Sequence, residues 1–167
     1  MQTTSNHPAG IIVRRGERSD IAALTRVFYR AVREGAGPEY STEQRAAWAP
    51  APPEVEAWDK RLTPQTVFVA ELDGAVIGFM SLKADGYIDL AFVDPDHIGH
   101  GVAQILYESL ESYAREQGMD RLYSDASARA RILFERQGWV IEAAQKPVIR
   151  GVELHNYRMS KQLSGQQ

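Results

Sequence analysis

Between Tyr87 and Gly118 the chain reads YIDLAFVDPDHIGHGVAQILYESLESYAREQG: a buried strand, a turn with two glycines and an amphipathic helix in immediate succession. This segment constrains fold and chemistry together. The helix carries an apolar face wide enough to pack on a sheet. Its first turn holds N–H groups with no intrahelical acceptor, at the end where the aligned peptide dipoles leave partial positive charge. Gly99 and Gly101 keep side chains out of the approach of a phosphate to those groups. The same spacing also suits a tight strand-to-helix turn that binds nothing, so the remainder of the chain has to decide.

With 167 residues, 44% of them hydrophobic, the chain has material for one sizeable core and is short for two. The expected division is a leader over 1–9, a single domain over 10–161 and a polar tail over 162–167. A formal net charge of -3 supplies no basic field of the kind a nucleic-acid backbone selects, so no nucleic-acid partner is expected, while small amines remain compatible. The chain has no cysteine, which removes disulfides, thiolate catalysis and cysteine-ligated metals. His97 and His100 lack a third ligand, and no metal is expected. The N-terminus has no signal-like apolar region, and no stretch approaches the roughly 18 apolar residues of a membrane span. A cytoplasmic protein with no membrane contact is the expectation.

Along the chain, Ile11–Val13 opens as a short strand, and Ser19 or Asp20 can cap a helix with apolar residues at Ile21, Leu24, Val27, Phe28 and Val32. Two short helices follow over 41–62, joined by a proline-rich segment. From Thr66 the pattern turns to strands: TVFVAEL, a turn at Asp73–Gly74, AVIGFMSLKA, and a third strand from Tyr87 to Val93. After the glycine-loop helix, RLYSDAS is a strand, a second crossover helix runs from near Ser127 to Gly138, and a long closing hairpin ends the domain.

That order, with three local signals, resembles the GNAT superfamily of acyl-CoA-dependent N-acetyltransferases, over about Ile12 to Lys161. The signals are F-V-D-P followed by I-G-H-G-V-A at Ile98 to Ala103, similar to the family's Q/R-x-x-G-x-G/A pyrophosphate loop; S-A-R-A-R-I-L-F-E-R-Q-G-W at Ser127 to Trp139, similar to its N-x-x-A-x-x-x-Y-x-x-x-G-F helix; and the final hairpin. Y-S-x-E-Q, A-W-A-P and G-V-E-L-x-N-Y-x-M also resemble a bacterial subgroup. The resemblance implies an α+β fold: a three-layer domain with a central, mixed but mostly antiparallel sheet flanked by helices, and a splayed strand pair that holds the cofactor. It implies acetyl-CoA as cosubstrate, transfer of its acetyl group to an amine by direct attack in a ternary complex, and Gly99, His100, Gly101, Val102 and Ala103 as the phosphate cradle. Ala91, Phe92 and Val93 would border the pantetheine arm, with Phe92 or Val93 offering an N–H to the thioester, and Ser127, Ala130 and Phe134 would line the same slot. Three positions depart from the pattern. Ile98 stands for Gln or Arg, Ser127 for Asn, and Phe134 for the Tyr that protonates the departing thiolate in many members. Those departures motivate the alternative of a non-catalytic acyl-CoA sensor or regulatory module.

An alkyl ammonium with a pKa near ~10 must lose a proton before it attacks. Asp89 is the first candidate for that base, because strand alternation sets Tyr87, Asp89, Ala91 and Val93 on one face and Ile88, Leu90 and Phe92 on the other. Pairing with a buried cation is its competing role. Tyr87 or Tyr157 can replace the missing acid, and His155 is an alternative base. Between Glu34 and Lys60 the acids outnumber the bases, and Tyr40, Trp48 and Trp58 interleave with them, so this stretch is expected to meet the amine acceptor, a small molecule or a peptide. The competing expectation has the tryptophans as inward anchors and the acids as a solvated face. The last hairpin exposes a strand that can pair across a two-fold axis to give a homodimer.

Overall fold

A computed structural model describes residues 10–164. Strands β1 (Ile12–Arg15), β2 (Thr66–Leu72), β3 (Ala75–Leu82) and β4 (Ile88–Val93) form an antiparallel sheet in that order, and β5 (Arg121–Ala126), β9 (Asn156–Gln162) and β6 (Val140–Gln145) form a second in the order β5-β9-β6. A two-stranded hairpin, β7 (Val148–Ile149) and β8 (Val152–Glu153), projects between β6 and β9. The long closing hairpin therefore carries a smaller one at its tip. The 1–9 leader lies outside the described residues. The tail does not begin at 162, because β9 includes Gln162, Leu163 is buried, and the Leu163 N–H donates to Asp120 O at 2.7 Å.

Helices cover both faces of the first sheet. On one face α1 (Ile21–Arg30) and α3 (Val55–Leu62) bury Leu24, Phe28, Trp58 and Leu62 against Val69, Phe79 and Leu90. On the other, α4 (Val102–Glu116) lays Val102, Leu106 and Leu110 on Phe68, Met80 and Ile88. Local chemistry sets the boundaries. Ser41 caps α2 (Thr42–Trp48) by accepting from Gln44 N–H at 3.0 Å while the Gln44 side chain accepts from Ser41 N–H at 2.9 Å, a reciprocal capping box. Helix α1 runs on into a π-helical turn over Ala31–Gly35, the kind of irregularity found next to functional sites.

The two sheets meet through β4 and β5. A parallel bridge joins Tyr87 to Tyr123, the Tyr123 N–H donates to Gly86 O at 3.0 Å, and the Ser124 hydroxyl donates to Ile88 O at 2.8 Å. Gly86 makes this junction possible, since a Cβ there would collide with the Arg121 carbonyl. Beyond Ile88 no ladder pairing joins the strands, and they diverge.

The strict alternation expected along β4 fails at one point. Ser81 faces Leu90 and Leu82 faces Ile88, so Asp89 is the extra residue of a bulge. Ile88 consequently turns to the α4 face with Ala91 and Val93, while Leu90 and Phe92 belong to the α1–α3 face.

Candidate active site

The divergence of β4 from β5 leaves main-chain donors free. Asp94 N–H donates to Ile77 O at 2.8 Å, and Phe92 sits opposite Phe79 in the same hydrogen-bonding phase. By antiparallel alternation the Ala91 and Val93 N–H groups point away from β3, into the gap, whereas the Phe92 N–H serves the β3 ladder. Of the two amides expected to face the thioester, that of Val93 points into the gap, as does that of Ala91, and that of Phe92 points to β3. An apolar channel runs through the gap, walled by Met80, Ala91, Val93, Ala103, Ala130 and Leu133.

At the channel's end stands the glycine loop. Gly99 and Gly101 have φ of +87° and +81°, and Gly101 is the N-cap of α4 with no side chain capping the helix. Ile105 N–H is bonded to Gly101 O at 3.2 Å, which leaves the N–H groups of Val102, Ala103 and Gln104 with no helical acceptor. A Cβ at Gly99 or Gly101 would meet nothing within 4 Å, so open space lies before these free N–H groups, which suits an anion such as a pyrophosphate. His100 is exposed beside it. Ile98 does not replace the family's polar side chain in kind: its Cδ1 packs against Gly35 of the π-helical turn, 3.1 Å from where a Cβ would lie there, and it forms apolar wall.

Helix α5 (Ala128–Arg136) closes the channel's other side. Ser127 caps it by accepting from Ala130 N–H at 3.2 Å, which leaves the hydroxyl hydrogen free to be donated. Phe134 is fully buried and stacks on Trp139 with ring centroids 4.1 Å apart and planes 12° apart. It fills space and can give no proton.

A second cavity of about 550 Å³ opens on the α3 side and meets the channel. The two share Tyr40, Trp48, Ala91, Phe92, Ser127 and Ala130. Tyr40 sits at this junction. Its hydroxyl donates to His155 O at 2.7 Å and accepts from Ala128 N–H at 3.1 Å, and burial raises its pKa. Its ring stacks flat on the His155 imidazole, centroids 4.4 Å apart at 10°, with Trp48 edge-on at 5.2 Å. The His155 ring lines the cavity, and neither of its nitrogens has a hydrogen-bond partner among the described residues.

The sequence-predicted candidates occupy different places in the structure. Asp89 lines the cavity, but both oxygens are occupied: Arg61 on α3 donates to each at 2.8 Å, and Gln65 donates to Oδ2 at 2.8 Å. Burial pushes its pKa up, yet the Arg61 and Gln65 hydrogen bonds outweigh burial and hold the carboxyl below its ordinary value. Tyr87 lines neither cavity. It donates to Asp125 at 2.8 Å, and burial together with that carboxylate raises its pKa. Trp58 is an inward anchor, 5.2 Å from Phe28 and 5.9 Å from Phe79, that lines the larger cavity only, whereas Trp48 is half-buried and lines both spaces.

The acidic stretch does not form a wall. Glu34 pairs with Arg30, Asp59 with Arg18 and Glu39 with Arg129, Glu43 and Glu56 are exposed, and of the six acids Glu54 alone lines the larger cavity. The charges that do line it include Asp125, held by Arg158 at 2.8 and 3.1 Å, and two arginines that the sequence reading passed over, Arg61 and Arg150. No local signal marks Arg61, because its partner lies 28 residues away. Arg150 had one: it occupies a hairpin turn where Asn or Gly is the usual residue.

The comparisons with known proteins agree with this geometry. The acetyltransferase (GNAT) family model matches residues 30–139. The chain is 34% identical over 149 residues to the uncharacterized N-acetyltransferase YafP of Escherichia coli (strain K12), covering 89% of this chain and 94% of that one. It is 31% identical to a GCN5-related N-acetyltransferase from Rhodopseudomonas palustris, with a TM-score of 0.85 over 98% of this chain and 99% of that structure. The phosphinothricin acetyltransferase of Sinorhizobium meliloti, solved in complex with AcCoA, shares the fold at a TM-score of 0.72 and 18% identity, over 94% of this chain and 92% of that one.

Proposed function

The chain belongs to the acetyltransferase (GNAT) family, and we propose that it transfers an acetyl group from acetyl-CoA to an amine by direct attack within a ternary complex. One observation supports this reading above the others: the channel between β4 and α5 and the larger cavity meet along a shared line of residues, Ala91, Phe92, Tyr40 and Ser127. A thioester at that line faces an acceptor nitrogen without leaving the protein.

Acetyl-CoA, when bound, supplies an activated acetyl carbon and a thiolate leaving group. The chain's own groups do the rest. The α4 N-terminus and the Gly99–Ala103 backbone hold the pyrophosphate. Ala91 and Val93 offer their N–H groups to the thioester oxygen as negative charge grows there. His155 takes the proton from the acceptor amine, because it lines the cavity with ring nitrogens that no described residue binds, and Tyr40, stacked on its face, fixes its plane. Asp89, spent on Arg61, is a poor proton acceptor and serves as a fixed charge that ties α3 to β4. As the C–N bond forms and the C–S bond breaks, Ser127 offers its free hydroxyl hydrogen to the departing sulfur. A thiol with pKa near ~8.5 leaves without full protonation, so Phe134 is no obstacle.

The reading is tested by following free-CoA release from acetyl-CoA with and without a panel of small amines and peptide N-termini. Amine-dependent release is expected. Tight acetyl-CoA binding with no release across the panel would favour a non-catalytic sensor, and no binding would remove the glycine loop from the account.

A further inference from the structure

Arg150 lines the larger cavity and is the one cation of its lining that no acid neutralises among the described residues. The cavity's other lining arginine, Arg61, is bound to Asp89, and Asp125 is bound to Arg158. Arg150 makes no ion pair among the described residues, with Glu54 on the cavity rim or with any other acid. It is nevertheless held in place, because its Nη1 donates to Ala47 O of α2 at 2.7 Å. A neutral carbonyl anchors one nitrogen and leaves the other edge of the guanidinium open to an anion.

The backbone beneath it is a second, independent observation. Arg150 and Gly151 form the two-residue turn between β7 and β8, with φ of +48° and +78°. Such a turn suits Asn-Gly or Asp-Gly, and the β2–β3 hairpin uses Asp73–Gly74 at +51° and +81°. Arginine gains nothing from the left-handed conformation and is strained in it. A strained residue that lines a cavity points to a use for its side chain.

We propose that Arg150 binds a carboxylate on the acceptor, so that the acceptor is an amine that also carries a carboxylate. This rests on the acetyltransferase reading given above. A single open guanidinium edge matches the two oxygens of one carboxylate. The β7–β8 hairpin brings this charge to the cavity and is itself docked on α2, where Gln44 Nε2 donates to Glu153 O at 3.0 Å. The amine end of such an acceptor lies toward Tyr40 and Ala91, and its carboxylate end toward the hairpin.

The test compares the common L-amino acids with the amines left by their decarboxylation, in CoA release from acetyl-CoA and in calorimetric titration of the CoA-loaded protein. In the wild type the carboxylated member of a pair has the lower KM and Kd, by roughly tenfold or more. Arg150→Asn suits the turn and so does not threaten the fold, and it collapses that ratio to about one, while Arg150→Lys keeps part of it. Equal constants within every wild-type pair, or a preference that survives in Arg150→Asn, would overturn the proposal. If no amine is turned over, the acetyltransferase reading has failed, and the titration decides the carboxylate site alone: no heat from any amino acid overturns it.

Discussion

Arg61 and Asp89 face each other through two parallel hydrogen bonds of 2.8 Å, one to each carboxylate oxygen. The pair joins α3 to the bulge in β4, with the Asp89 side chain 10% exposed and Arg61 46% exposed. Because Arg61 is half in solvent, the pair is worth less than a fully buried one. Arg61→Ala strands a mostly buried carboxylate and is expected to cost about 1–2 kcal/mol in denaturant unfolding. The folded-state pKa of Asp89 lies below its unfolded value near ~3.9, so its stabilisation is fully present above that value and is lost as pH falls further. Wild-type stability should therefore drop below about pH 4 more steeply than that of Asp89→Asn. Parallel pH curves would contradict the assignment.

Trp48 and Trp58 looked alike in the sequence and should behave differently. Trp58→Ala empties an aromatic cluster with Phe28 and Phe79 and is expected to cost about 3–5 kcal/mol, seen as a collapse in melting temperature. Trp48→Ala removes a half-buried wall of both cavities and should mainly raise the acceptor KM. Equal losses of melting temperature would contradict this division.

His155→Gln keeps a polar side chain beside Tyr40 and removes the proton acceptor. The expected loss in kcat is about 10²-fold or more, with acetyl-CoA affinity retained. A kcat within a few-fold of wild type in the variant would return the base to another group.

Gly101→Ala and Gly118→Ala impose similar strain at opposite ends of α4, since φ is +81° and +75° and a Cβ meets nothing within 4 Å at either site. Each should cost roughly 1–2 kcal/mol of stability. Gly101→Ala alone should weaken acetyl-CoA binding, by about tenfold, because its Cβ enters the cradle. Equal affinities in the two variants would argue against a pyrophosphate at this loop.

Much of this fold is legible in the sequence because its punctuation is local. The Ser41 capping box, the Ser127 cap, the Asp73–Gly74 turn and the left-handed Gly118 all stand where residue chemistry places them. The glycine turn into α4, with Gly99 and Gly101 left-handed, was legible for the same reason. What escaped was set by partners far along the chain. The bulge at Asp89 comes from its register with β3 and reverses Ile88, and the Arg61 and Arg158 pairs neutralise acids that alternation alone leaves free. The acidic stretch dissolved because a count along the chain ignores that Glu34, Glu39 and Asp59 each meet an arginine from outside it.

The most direct test of direct transfer at the meeting of two cavities is the initial-velocity pattern with acetyl-CoA and amine concentrations varied together. Acetyl transfer in a ternary complex predicts double-reciprocal lines that intersect. Parallel lines, the mark of an acetylated enzyme formed before the amine binds, would contradict it.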